Sequence, residues 1–146
     1  MEITSPAFNN NEKIPSKYTC DGAGLSPPLK ISNVPQEAKS LVLISDDPDA
    51  PMGTWVHWLV WNIDPKIFEI TENNVPSDAV QGTTSFGNSV YGGPCPPSGV
   101  HRYFFKLYAL DTMLDLSSST QKADLESAME NHILNRAEII GLYQRQ

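Results

Sequence analysis

Proline sets the grain of this sequence. Pro27 and Pro28, Pro48, Pro51, Pro65, Pro76 and the cluster from Pro94 to Pro97 fall between short β-branched and aromatic runs or at their first residues. A missing backbone N–H costs nothing there. The runs themselves, Glu2 to Phe8, Leu29 to Ser32, Leu41 to Ser45, Trp55 to Ile63, Phe68 to Thr71 and His101 to Leu110, are bounded by Pro, Gly, Asn or Asp and read as strands. One helix is expected over Gln121 to Asn135. Ser118, Ser119 and Thr120 offer N-caps, Asp124 and Glu126 lie in the first turns, and Leu125, Ala128, Met129, His132 and Ile133 recur at helical spacing. Ala137 to Gln144 then alternates as a returning strand. No repeat or linker divides the chain, so residues 1–146 are expected to form one all-β domain, an antiparallel β-sandwich with one or two small peripheral helices.

Composition narrows the partners. The chain is 40% hydrophobic and 18% charged, ordinary globular values. A net charge of -7 without any basic run excludes a broad nucleic-acid or anionic-membrane footprint, though not a small anion pocket. The longest apolar run, Trp58 to Trp61, is far short of the roughly 20 residues that cross a bilayer. Met1 to Pro6 lacks a charged region followed by an apolar stretch, so a cytoplasmic location is expected. Cys20 and Cys95 are too few for a disulfide framework. The expectation is two reduced, partly buried thiols, with pairing left open.

Three segments carry chemistry. In Asp47-Pro48-Asp49-Ala50-Pro51, Pro48 pushes Asp47 into the extended region, so two carboxylates two residues apart can share one rim; the alternative is a turn in which Asp caps backbone amides. In Trp55 to Ile63, a period of two places Trp55, His57, Leu59 and Trp61 on one face and Val56, Trp58 and Val60 on the other. His57 is then a polar group on a buried strand and needs a partner, either a backbone carbonyl or a carboxylate and ligand. In Tyr91 to Tyr103, a Gly- and Pro-dense loop, in which backbone can approach a ligand closely, feeds a strand that puts His101, Tyr103, Phe105 and Leu107 on one face. A tight turn with a solvated His101 is the alternative.

These segments resemble the signature of the phosphatidylethanolamine-binding protein family, in its prokaryotic branch of Raf-kinase-inhibitor-like proteins. The match consists of Asp47-Pro48-Asp49-Ala50-Pro51, Trp55-x-His57, Gly93-Pro94 and His101-Arg102-Tyr103, supported by Tyr18 to Gly22 and Ser26 to Leu29. It covers nearly the whole chain. The resemblance implies a β-sandwich that binds phosphate-type anions in a pocket made of Asp47, Asp49, Trp55, His57, Gly93, Pro94, His101 and Tyr103. The short segment Met52-Gly53-Thr54 and the absence of a helix after Gln144 are typical of that branch, and distance the chain from kinase inhibition and phospholipid binding as animal members perform them. Dimerisation is a further implication.

The expected mechanism is a binding one. His57 and His101, as hydrogen-bond donors, with N–H groups of the glycine loop, would hold an oxyanion. Asp47 and Asp49 would repel it, and are expected to orient an imidazole or to meet the cationic part of a zwitterionic ligand. Metal-assisted hydrolysis is the main rival, since two His and two Asp can furnish a metal site, but no His-x-x-x-His or Glu-x-x-Glu spacing is present. No Gly-x-Ser-x-Gly elbow exists, and the prolines around Cys95 forbid a helix N-terminus at its thiol. No enzyme activity and no cofactor or metal is therefore expected. A kinase or protease target, docked at the pocket rim, is the remaining class.

Overall fold

The computed structural model describes residues 1–146. It contains nine strands, β1 Glu2–Thr4, β2 Glu12–Lys13, β3 Leu29–Ser32, β4 Ser40–Asp47, β5 Trp55–Ile63, β6 Glu69–Ile70, β7 Val80–Gln81, β8 His101–Leu110 and β9 Ile133–Tyr143, with one helix, α1 Lys122–Met129. They form a three-stranded sheet, β1-β3-β6, and a six-stranded sheet, β2-β9-β8-β4-β5-β7. All pairs are antiparallel except β2 beside β9. The fold is thus mostly β with one helix, as the strand pattern predicts.

Both faces of the large sheet are buried, which is why every residue of β4 is buried. One face packs on the small sheet, where Ile3, Leu29, Ile31 and Ile70 meet Leu41, Leu43, Trp58, Val60, Tyr103, Phe105 and Leu107. The other is covered by Leu125 and Met129 of α1 and by Leu114, over Val42, Ile44, Leu59 and Trp61. Strands β5 and β8 have the expected bounds. The helix is shorter than expected at its C-terminal end, because Asn131 takes a left-handed φ of 68° and the chain then enters β9. His132 leaves the helical stripe and meets Asp111 at the surface. At the N-terminus Gln121 stands as cap without a side-chain bond. Ser118 and Thr120 instead accept hydrogen bonds through their carbonyls from Thr83 and Ser89.

Two further expectations are corrected. Cys20 and Cys95 form a disulfide, with Cα atoms 5.4 Å apart, since the two loops that carry them pack side by side. The simple alternation of β5 is broken as well. Consecutive residues Ser45 and Asp46 of β4 face Trp58 and Val56, leaving His57 as the extra residue of a bulge. Trp58 therefore enters the core between the sheets, whereas Val56 packs with Leu59 and Trp61 on the helix side. His57 parts from Leu59 and Trp61 and turns its ring toward Tyr103, with centroids 5.2 Å apart.

Candidate functional site

The bulge brings His57 to the same end of the sheet as the start of β8 and the end of β4. His101 and Tyr103 alternate inward on β8, and Asp47 closes β4 opposite Trp55. Together Asp47, Trp55, His57, His101 and Tyr103 line one cavity of about 270 Å³, walled by Ala50, Pro51, Met52, Phe86, Cys95, Pro96 and Pro97. Its polar side chains are one carboxylate, two imidazoles and one phenol, and Trp55 and Phe86 meet edge to face at 5.5 Å.

Each imidazole is held from behind. His57 Nδ1 donates to the Gly92 carbonyl at 2.7 Å, and the Gly92 N–H returns a bond to the His57 carbonyl at 2.9 Å. A carbonyl only accepts, so Nδ1 carries the hydrogen. His101 Nδ1 donates to Asp47 Oδ2 at 2.7 Å, and both side chains are almost fully buried. Each Nε2 makes no bond within the protein and still reaches solvent. Burial pushes the His57 pKa below the ordinary imidazole value, against the pull of the Gly92 carbonyl and of the Asp47 and Asp46 carboxylates. His57 is therefore neutral near pH 7, with a bare Nε2. Burial first, and the Asp47 charge second, push the Tyr103 hydroxyl well up, so it stays a neutral phenol.

Asp49, Gly93 and Pro94 lie outside the cavity lining. Residues 48 and 49 form a turn, not an extended chain, in which the Asp49 N–H donates to Asp47 Oδ1 at 2.7 Å. The turn points the Asp49 carboxylate at Arg102, which binds it in two-pronged fashion at 2.9 Å. Arg102 and desolvation oppose each other there, and the guanidinium wins, holding Asp49 at about 2. The glycine pair serves close packing between protein parts. A Cβ on Gly92 would collide with the Phe86 ring, and one on Gly93 with the backbone at Tyr18 and Thr19. Pro94 is buried, and its carbonyl accepts from the Cys20 N–H at 3.0 Å.

Sequence reasoning missed three contributors. Phe86 carries no pattern, since it reaches the site from an irregular loop that Ser85 pins to Val56. Gly92 is legible only as part of a Gly-Gly pair. Asp46 sits one residue before Asp47 on the opposite face of the sheet, buried, and accepts from Lys106 at 3.1 Å and Lys122 at 2.7 Å. No group of three His, Cys, Asp or Glu converges in a way that could hold a metal ion. A wider groove of about 790 Å³ at residues 62–71 and 76–78 mixes Lys39, Lys66, Asp64, Glu69 and Asp78 without any imidazole. No helix is long and apolar enough to cross a membrane.

The comparisons with known proteins agree with this geometry. Residues 4–144 match the family model described as phosphatidylethanolamine-binding protein. The chain belongs to that family. A relative from Methanothermobacter thermautotrophicus, described as a UPF0098 protein, is 53% identical over 99% of both chains. Another UPF0098 protein, from Pyrococcus horikoshii, is 50% identical over 97% of this chain and 76% of its own. Among solved structures, a phosphatidylethanolamine-binding protein homolog of Chlamydia trachomatis superposes with a TM-score of 0.96 at 45% identity, covering 99% of this chain and 97% of that one. YbcL of E. coli, described as a member of the mammalian family, gives 0.93 at 31% identity, covering 99% and 98%.

Proposed function

We propose that this family member binds a small phosphate-type anion between His57 and His101 and does so without turnover. The observation that carries the reading is that both Nδ1 atoms are engaged from behind while both Nε2 atoms stay free at one cavity. A neutral His57 Nε2 accepts a hydrogen bond from a protonated phosphoryl oxygen. With the Asp47 carboxylate behind its ring, His101 can share a proton between its Nε2 and a charged phosphoryl oxygen. Both Asp47 oxygens are already engaged, so the phosphoryl end of a zwitterionic ligand, and not its ammonium, is the part seated here. The lining offers no Ser, Thr or Lys, and its only cysteine is in a disulfide, which supports binding rather than nucleophilic catalysis.

A protein target is a second tier of the proposal, favoured by the rim, where Met52 is 96% exposed beside Trp55 and Phe86. Calorimetric titration with phenyl phosphate tests the core of the proposal. The native protein is expected to bind with a stoichiometry of one, and His57→Ala and His101→Ala each to weaken binding at least tenfold. Unchanged affinity in either variant would overturn the proposal.

A further inference from the structure

We propose that the Cys20–Cys95 disulfide is a redox latch on the pocket, so that its reduction by a cellular dithiol loosens the Cys95–Pro97 wall and lowers affinity for phosphate-type anions. The affinity part rests on the anion-site reading; the latch itself does not.

Cys95, Pro96 and Pro97 form one wall of the cavity. Apart from the packing of buried Pro96, that wall has little else to hold it. Residues 95–100 belong to no strand and make no hydrogen bond with the rest of the protein. The neighbouring tethers lie upstream, where Gly92 is bonded to His57 and the Pro94 carbonyl to the Cys20 N–H, and downstream, where β8 begins at His101. The disulfide is therefore the one directional restraint on the wall between those points. Its other end is firm. Thr19 Oγ1 donates to the Ser16 carbonyl at 2.8 Å, and Asp21 accepts from the Tyr143 hydroxyl at 2.6 Å, which ties this turn to β9.

Both cysteines are exposed. Exposed disulfides are the ones open to thiol exchange. A thiolate of the dithiol attacks one sulfur, forming a mixed disulfide with that cysteine, and the other cysteine leaves and takes up a proton. The second thiol of the reductant, losing its proton, then displaces the first cysteine. Two electrons pass: the protein gains two thiols and the reductant becomes a disulfide.

The test compares native protein with and without dithiothreitol, with free thiols counted in each sample. Amide hydrogen exchange reads the latch without a ligand. On reduction the Cys20 amide, bonded to Pro94, is expected to exchange at least tenfold faster, while the core amide of Leu43 keeps its rate. An unchanged Cys20 amide, or equal acceleration of both, would overturn the latch. Calorimetry with phenyl phosphate then reads the gate. Affinity is expected to fall at least tenfold on reduction, and the double variant Cys20→Ser, Cys95→Ser to match the reduced protein whether or not dithiothreitol is present. Equal affinity in the two redox states would overturn the gate. Failure of the oxidised protein to bind at all would instead overturn the anion-site reading, and the exchange result would still decide the latch.

Discussion

His57 and Gly92 grip each other twice, through Nδ1 to the Gly92 carbonyl at 2.7 Å and through the Gly92 N–H to the His57 carbonyl at 2.9 Å. The ring is thereby fixed in orientation and tautomer. Its depressed pKa gives the folded state a preference for the neutral ring, so this contribution to stability is present above the ordinary value of 6.5 and is lost as pH falls through the lower folded value. Binding runs the other way. A proton must lie between His57 Nε2 and the phosphoryl oxygen, whose second pKa is about 6. Affinity for phenyl phosphate is expected to fall by about tenfold or more between pH 5.5 and 8 in calorimetry, in the range set by that roughly 6 value. A flat profile would contradict the shared proton.

Asp49 supplies a contrast. Because its carboxylate faces Arg102 and not the cavity, Asp49→Ala is expected to leave anion affinity within about twofold, a change worth less than about 0.5 kcal/mol. Acid stability changes instead. The folded value of about 2 lies below the ordinary 3.8, so the Asp49 contribution is present above 3.8 and lost as pH falls toward 2. Urea midpoints measured from pH 5 to 2 should fall less steeply in the variant.

Asp47→Asn keeps an oxygen for the Asp49 N–H but removes the countercharge behind His101. Affinity is expected to fall about tenfold, or about 1.4 kcal/mol, and the ring-nitrogen chemical shifts of His101 should move. Retained affinity would remove Asp47 from the proposed machinery.

Asp46 is a structural counterpart. Its side chain is 1% exposed between Lys106 and Lys122. Asp46→Asn leaves two partly buried ammonium groups without a countercharge, and is expected to destabilise the fold by about 3 kcal/mol in urea denaturation. Lys122 also fastens the start of α1, so loosening of the helix should accompany the loss.

Strands β5 and β8 are legible because dense aromatic and β-branched runs end abruptly at Pro, Gly, Asn or Asp. Two-residue strands such as β2 and β7 are too short to show a period. The helix reads too long since Ile133 continues its spacing by coincidence, and only the left-handed turn at Asn131 stops it. The meeting of His57, His101 and Asp47 follows from strand ends, but the partners do not. Asp47 and Asp49 share a direction only if the chain stays extended, and Pro48 opens a turn instead. The bulge at His57 is a property of pairing with β4, invisible to alternation within β5 alone. The Cys20–Cys95 bond joins residues 75 apart, a tertiary fact with no local trace.

Nitrogen-resolved NMR of the two imidazoles during a phosphate titration near pH 6 reaches the central claim most directly. The Nε2 signals of His57 and His101 are expected to move together, with one shared saturation curve, while His132 stays still. Movement of only one of the pair, or of neither, would contradict the two-imidazole site.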